Sequence, residues 1–221
     1  LFYGAVVELG SSPGSFAALR ARGATGAVLR APWSSLETGP GEYDFKRLDL
    51  MLREAGRAGL PVYFEEFHNQ AAAPSWLSQE VMQTQRGVPV NGRYRVPSLW
   101  SAKAQREYLA MVRAIVTRYR DDSRVAGWHF QMGNGDAVYG DDLRASPPLI
   151  NDYSPPAQEA FRGYLRDTPK LSLEAASAEF GRALTSWDEL TPPVPEAQLM
   201  LSQGWRRWME FRQWAMTQKA L

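Results

Sequence analysis

The sequence contains no cysteine and only two histidines among 221 residues. Without a thiol there is no disulfide framework, no thiolate nucleophile and no cysteine-ligated zinc, and two histidines far apart leave little for an imidazole metal site. No cofactor and no metal are expected. An excess of one charge is lacking as well, since 25 Lys plus Arg stand against 24 Asp plus Glu. That balance gives no electrostatic footprint for nucleic acid or an anionic lipid surface, so neither is an expected partner. No apolar run approaches the roughly 18 to 20 residues of a membrane span, and the amino terminus carries no signal-peptide pattern. The chain reads as a soluble segment. It opens at Leu1, already inside a strand-like run, so removal of something upstream is expected. The surplus is aromatic: eight Trp, nine Tyr and nine Phe.

Leu1 to Leu9 (LFYGAVVEL) is apolar and β-branched with little alternation, the pattern of a strand buried on both faces. After a Gly/Ser/Pro loop, a short helix through Phe16 and Leu19 closes at Gly23. Gly26 to Pro32 is a second buried strand, followed by a Pro- and Gly-punctuated loop from Trp33 to Tyr43. Phe45, Leu48, Leu52 and Ala55 recur at helical spacing, and Pro61 to Phe67 (PVYFEEF) is a third strand. A long loop through Pro74, Gly87, Pro89, Gly92 and Pro97 leads to a helix with apolar positions Leu109, Val112, Val116 and Tyr119. Val125 to Met132 (VAGWHFQM) is the fourth strand, and Gly133 to Pro156 is another long loop. Only helices follow: Ala157 to Arg166, Ser172 to Phe180, and a Trp-rich one from Trp205 to about Lys219.

Strands that alternate with helices imply βαβ units and a parallel sheet with right-handed crossovers. The long loops follow strands two, three and four and hold most of the unusual polar and aromatic residues. A (β/α) barrel has that asymmetry, because its active site lies at the carboxyl ends of the strands. A doubly wound sheet would show a Gly-rich phosphate turn after its first strand, and Glu8-Leu-Gly-Ser-Ser-Pro-Gly14 lacks the spacing. The expected fold is therefore α/β, a TIM-barrel-like array of parallel β/α units. Four units are read, where a whole barrel has eight strands and takes about 250 residues. Residues 1–221 are expected to form one domain, a half or truncated barrel incomplete on its C-terminal side. The other half is expected from a second copy, making a homo-oligomer, or from a further segment of the barrel.

Arg30 to Phe45 reads RAPWSSLETGPGEYDF, which resembles the second-strand signature of family 42 β-galactosidases, approximately R-x-P-x-x-W/S-x-x-E-P-x-P-G-x-Y-D-F. The likeness continues in Ala73-Pro-Ser-Trp-Leu77 after strand three, in Arg118-Tyr-Arg-Asp-Asp122 before strand four and in Gly127-Trp-His129 on it. It extends to Asp152-Tyr-Ser-Pro155, Phe161-Arg-Gly-Tyr-Leu165 and Trp187-Asp-Glu-Leu-Thr-Pro-Pro193. These segments keep the family's order along almost the whole chain. The resemblance implies a retaining glycosidase barrel acting on β-linked sugars, with galactosides as the family's substrates. Two carboxylates roughly 5 Å apart then serve as acid/base and nucleophile around an oxocarbenium-like transition state.

In that family the acid/base is the Glu of an Asn-Glu pair ending strand four, and the nucleophile is a Glu ending strand seven. Here the positions nearest to the pair are Met132 and Gly133, and no seventh strand is read. Asp136, in Gly133-Asn-Gly-Asp136 before Tyr139, is similar to a Gly-x-Gly-acid-aromatic loop of β-amylase-like barrels, where the acid is the proton donor. That likeness implies Asp136 as the catalytic acid and Tyr139 as a substrate contact. The other reading of Asp136 is a polar turn residue.

Glu65 and Glu66 are adjacent on strand three, so one faces the barrel interior and the other outward. A buried carboxylate must be paired, and Arg30 on the neighbouring strand is the expected partner. Glu65 is therefore either a catalytic carboxylate or sugar-hydroxyl ligand with Arg30 beside it, or half of a structural ion pair; Glu8 has the same two readings. His68 and Asn69, just past strand three, are the expected partners of sugar hydroxyls, whereas His129, inside strand four, is expected to be a satisfied core histidine. Flat indoles stack on the apolar faces of pyranose rings. Trp33, Trp76 and Trp100, in loops on the presumed active face, are the candidates for stacking, packing being the alternative. Trp128, Trp205, Trp208 and Trp214, on regular elements, are expected to pack. There is no nucleophile elbow and no H-x-x-x-H pair. Two functions stay open: a glycoside hydrolase domain acting on carbohydrate, or a non-catalytic barrel-derived domain that binds carbohydrate or serves protein assembly.

Overall fold

The computed structural model describes residues 3–8, 14–67, 72–90, 95–131, 149–196 and 199–219. The chain divides into two compact units, Leu1–Ser78 with Gln105–Met132, and Gln79–Ala104 with Gly133–Leu221.

The first unit is built on parallel strands β1 (Val6–Glu8), β2 (Ala27–Arg30), β5 (Val62–Phe67) and β6 (Val125–Gln131), which pair in the order β1-β2-β5-β6. Helices α1 (Ser15–Ala21), α2 (Lys46–Arg57) and α3 (Ala102–Tyr119) lie in the three crossovers between them. Neighbours in space that are also neighbours in sequence make a barrel-type arrangement; a doubly wound sheet reverses its order at a switch point. Helix α2 forms because Leu48, Met51, Leu52 and Ala55 bury one stripe, with Asp49 in the first turn and Arg57 in the last to oppose the helix dipole. Gly59, at φ +64°, turns the chain out of it.

Register divides the sheet into rows. Val6, Val28, Tyr63 and Gly127 stand side by side, then Val7, Leu29, Phe64 and Trp128, then Glu8, Arg30, Glu65 and His129. Alternation puts the first and third rows on one face and the second on the other. In the middle row Val7, Leu29 and Phe64 are buried, exposing 4% or less, and Trp128 is partly buried. Phe64 stacks between Trp128 (4.9 Å) and Tyr119 of α3 (5.5 Å), so that face is the one the helices cover. On the opposite face Val6 is 46% and Tyr63 37% exposed. The expectation that the first strand is buried on both faces is corrected here: β1 is an edge strand, and its Val6 side has no cover among the described residues.

Two further departures concern local structure. The Trp33–Tyr43 loop contains an antiparallel pair, β3 (Glu37–Gly39) with β4 (Glu42–Tyr43), turning through Gly41 at φ +74°. On α3 the buried stripe is Ala104, Tyr108, Met111, Ile115 and Tyr119, while Leu109 is 57% exposed. Of the four apolar positions expected to face the core, only Tyr119 is buried: the stripe that packs runs through 104, 108, 111, 115 and 119 at helical spacing, and Leu109, Val112 and Val116 fall beside it.

The second unit carries α4 (Pro155–Asp167), α5 (Leu173–Glu179) and α6 (Gln203–Lys219). Pro155 opens α4, and Ser172 caps α5 by accepting the Ala175 N–H at 3.1 Å. The core is aromatic: Tyr153, Phe161, Tyr164, Trp205, Trp208 and Phe211 bury together with Leu165 and Leu190. Arg207 of α6 holds Glu179 of α5 bidentately, at 2.8 and 3.1 Å. Asp152, 1% exposed, ties the loops by accepting from Ser98 Oγ (2.6 Å), Ser154 N–H (2.8 Å) and Gln83 N–H (3.1 Å). Burial pushes its carboxyl above the ordinary range, against those hydrogen bonds, which pull the other way. Among the described residues no helix is long and apolar enough to cross a membrane.

Candidate functional site

The carboxyl ends of β2, β5 and β6 bring Arg30, Glu65 and His129 into adjacent positions of one row, on the face of the sheet opposite Phe64 and Trp128. Arg30 Nη2 bonds Glu65 Oε2, and His129 Nδ1 lies 3.4 Å from Glu65 Oε1, so each carboxylate oxygen faces its own cationic or potentially cationic partner. The side chains expose 26% for Arg30, 15% for Glu65 and 57% for His129. Glu8 holds the fourth backbone position of the row, paired with Arg30. One layer deeper on the same face stands the partly exposed ring of Tyr63.

The Arg30–Glu65 pair expected from the two strands is present. His129 is a correction: it belongs to the open row beside Glu65, because strand parity sets it opposite Phe64 and Trp128 and away from the helices. Trp33 is a second correction. It is 0% exposed, donates its indole N–H to Glu37 Oε2 and meets Tyr108 edge-on at 5.7 Å, which leaves no ring face for a sugar. Trp100 is a third, since it is partly buried and stacks on Phe211 (4.9 Å) and Trp214 (5.9 Å) against the aromatic core of the second unit. Trp76 is partly exposed, and its indole nitrogen has no hydrogen-bond partner among the described residues. Trp128, Trp205 and Trp208 pack as their positions suggest. His68, Asn69, Asp136 and Tyr139 lie outside the described residues, as does the Met132-Gly133 position.

Sequence reasoning missed Glu37, a 1% exposed carboxylate that also accepts the Gly41 N–H at 2.8 Å and so locks the β3–β4 turn. The signal was Trp33 and Glu37 four residues apart across a turn. Among the described residues no group of three or more His, Asp or Glu is arranged to hold a metal ion. A cavity of about 250 Å³ lies beside the β1 edge, lined by Val6, Val7, Ser15, Ala18, Leu19 and Arg22; it holds none of the candidate residues and is not the site.

Comparison with known proteins places this geometry. Among solved structures, the catalytic domain of a β-amylase from Paenibacillus polymyxa superposes with a TM-score of 0.71 at 17% identity, over 98% of this chain and 60% of that one. A β-galactosidase from the haloarchaeon Halorubrum lacusprofundi superposes with a TM-score of 0.63 at 21% identity, over 99% of this chain and 33% of that one. These likenesses establish the fold. Among curated proteins, β-galactosidase BbgII of Bifidobacterium bifidum is 28% identical over 171 residues, 73% of this chain. The chain spans 23% of that relative's length. A family model described as β-galactosidase, glycoside hydrolase family 42, matches residues 24–220. With the family's segments in order and its parallel strands present, the chain belongs to the family 42 β-galactosidases.

Proposed function

We propose that this chain is part of a glycosidase that hydrolyses β-linked glycosides, galactosides among them, by a carboxylate mechanism. The observation that carries the proposal is the Arg30–Glu65–His129 row at the carboxyl ends of the strands, on the face the helices leave open. That is where a (β/α) barrel does its chemistry. Asp136, in the segment that follows β6 in the sequence, serves as the acid, and Glu65 as the carboxylate paired with Arg30. Arg30, His68, Asn69, Trp76 and Tyr139 are the sugar contacts. A retaining mechanism needs a second carboxylate about 5 Å from the first. It comes from further barrel strands, of the same polypeptide or of a second copy. The names of the matched relatives support galactosides as the first substrates to try.

An aryl-β-glycoside panel tests this with the native chain, Asp136→Asn and Glu65→Gln. Loss of a general acid lowers turnover by about 10² to 10⁴-fold. Turnover unaffected by Asp136→Asn removes that residue from the mechanism.

One observation favours a second reading, a non-catalytic carbohydrate-binding or assembly domain: Met132-Gly133 stands where the family has Asn-Glu. Calorimetric binding of a β-galactoside without any turnover is the outcome that selects it.

A further inference from the structure

Val62 of β5 pairs with Val125 of β6, and the next pair is Tyr63 with Gly127, so β6 carries one residue more than β5 and the ladder skips Ala126. Such a β-bulge re-aims the side chains beyond it. Regular pairing from Val62–Val125 would set Gly127 opposite Phe64, Trp128 opposite Glu65 and His129 opposite Glu66. The bulge instead sets Trp128 opposite Phe64 and His129 opposite Glu65. A slip of one residue exchanges the two faces of a strand, so the register decides whether an imidazole or an indole stands beside the Glu65 carboxylate.

Two contacts favour the bulged register. Trp128 lies flat on Phe64, with ring centroids 4.9 Å apart and planes 8° from parallel, and Phe64 stacks in turn on Tyr119 of α3. The slip would take the indole out of that stack and carry it to the opposite face. Gly127 lies so close to the Tyr63 ring that a Cβ there would be 3.1 Å from both Cδ1 and Cε1. In the slipped register Ala126 takes that place and brings the methyl group that Gly127 lacks. A missing side chain at 127 and a flat ring at 128 therefore select the same register.

We propose that Trp128 and Gly127 are positioning residues, which hold β6 in the bulged register and so place His129 beside Glu65 in the row at the carboxyl ends of the strands. They act through His129 and touch no ligand themselves. That the row meets a sugar rests on the glycosidase reading above; the register does not.

The test uses the full chain, which has no cysteine, so an introduced pair forms the only possible disulfide within it. Paired residues of neighbouring strands lie within bridging distance when their Cβ atoms share a face, and cannot be bridged when those atoms point apart. Glu65→Cys with His129→Cys is expected to close a bridge under mild oxidation. Adding Trp128→Ser is expected to lose it, whereas Trp128→Phe, which still stacks on Phe64, keeps it. Deleting Ala126 from the Trp128→Ser variant lets regular pairing arrive at the same row and is expected to restore the bridge. Restoration separates a slipped strand from an unfolded one. The converse pair, Glu65→Cys with Trp128→Cys, bridges in the slipped register, and its yield is expected to rise when Gly127→Ala is added. No bridge in the first pair, a bridge undiminished by Trp128→Ser, or a loss that deleting Ala126 does not repair overturns the proposal, and a converse yield unmoved by Gly127→Ala overturns the part assigned to Gly127. Oxidation needs no substrate, so these failures are distinct from absence of glycoside turnover, which strikes the glycosidase reading alone.

Discussion

Trp33 donates its indole N–H to Glu37, and both side chains are almost wholly buried, at 0% and 1% exposure. The other Glu37 oxygen accepts the Gly41 N–H at 2.8 Å. One carboxylate therefore closes the hairpin that follows β2 and seats the indole beneath it. A sugar-stacking role for Trp33 would require this arrangement to open.

Glu37→Ala leaves two donors without their acceptor, which costs about 2–4 kcal/mol in urea unfolding. Glu37→Gln keeps one acceptor oxygen and costs about half as much. An unfolding midpoint unmoved by the alanine would mean that the hairpin does not depend on this contact.

Asp152 leads to a pH prediction of unusual sign. Burial raises its folded-state pKa above the unfolded value, so its contribution to stability is fully present below the unfolded value, about pH 4, and is lost as pH rises through the folded one. Asp152→Asn keeps an acceptor for Ser154 and Gln83, and Ser98 Oγ can reverse to accept from the amide. The variant is expected to gain on the native protein as pH rises from about 4 toward 7. Denaturant unfolding at both pH values checks this, and a variant that loses ground to the native protein between about pH 4 and 7 refutes it.

Asp49 has the ordinary sign. Burial pulls its carboxyl up, but hydrogen bonds from Arg118 (2.7 and 3.2 Å) and from the Tyr119 hydroxyl (2.8 Å) outweigh that and hold it below the usual range. Its contribution is present above about pH 4 and is lost as pH falls through the folded value. The pair is partly exposed, with Arg118 at 47%, so screening limits Asp49→Asn to about 0.5–1 kcal/mol at pH 7. The gap between native and variant should close as pH falls through the folded value; a gap that persists below it would belong to packing.

These residues also mark how far the sequence alone carries. The four strands are legible because β-branched runs end in turn residues, and the Arg30–Glu65 pair is legible because both side chains stand at the ends of strands that become neighbours. His129 is misread when its neighbours Trp128 and Phe130 are taken as a sign of core. Parity, counted from Glu65 across the sheet, puts it on the open face. Trp33 looks like a surface residue in a Pro/Gly loop until Glu37 is seen to bury it. Trp100 gives no local signal at all, since the rings it stacks on belong to α6, far along the chain. Loop aromatics are placed by distant partners, and strand residues mostly by their neighbours, which is why the fold is more readable than the site.

The helical stripe of α3 offers the sharpest contrast between reading and structure. Met111 is 0% exposed and Leu109 is 57% exposed, two residues apart on one helix. Met111→Ala removes buried volume and should cost about 2–5 kcal/mol, while Leu109→Ala stays within about 0.5 kcal/mol. Charge separates them further. At Leu109 a lysine keeps its ammonium in water, but at Met111 it must be buried unpaired or drive the helix off the sheet. Circular dichroism melts of Leu109→Lys and Met111→Lys settle the orientation of α3. A cooperative, near-native melt for Met111→Lys together with a collapsed one for Leu109→Lys would restore the stripe through Leu109, Val112 and Val116.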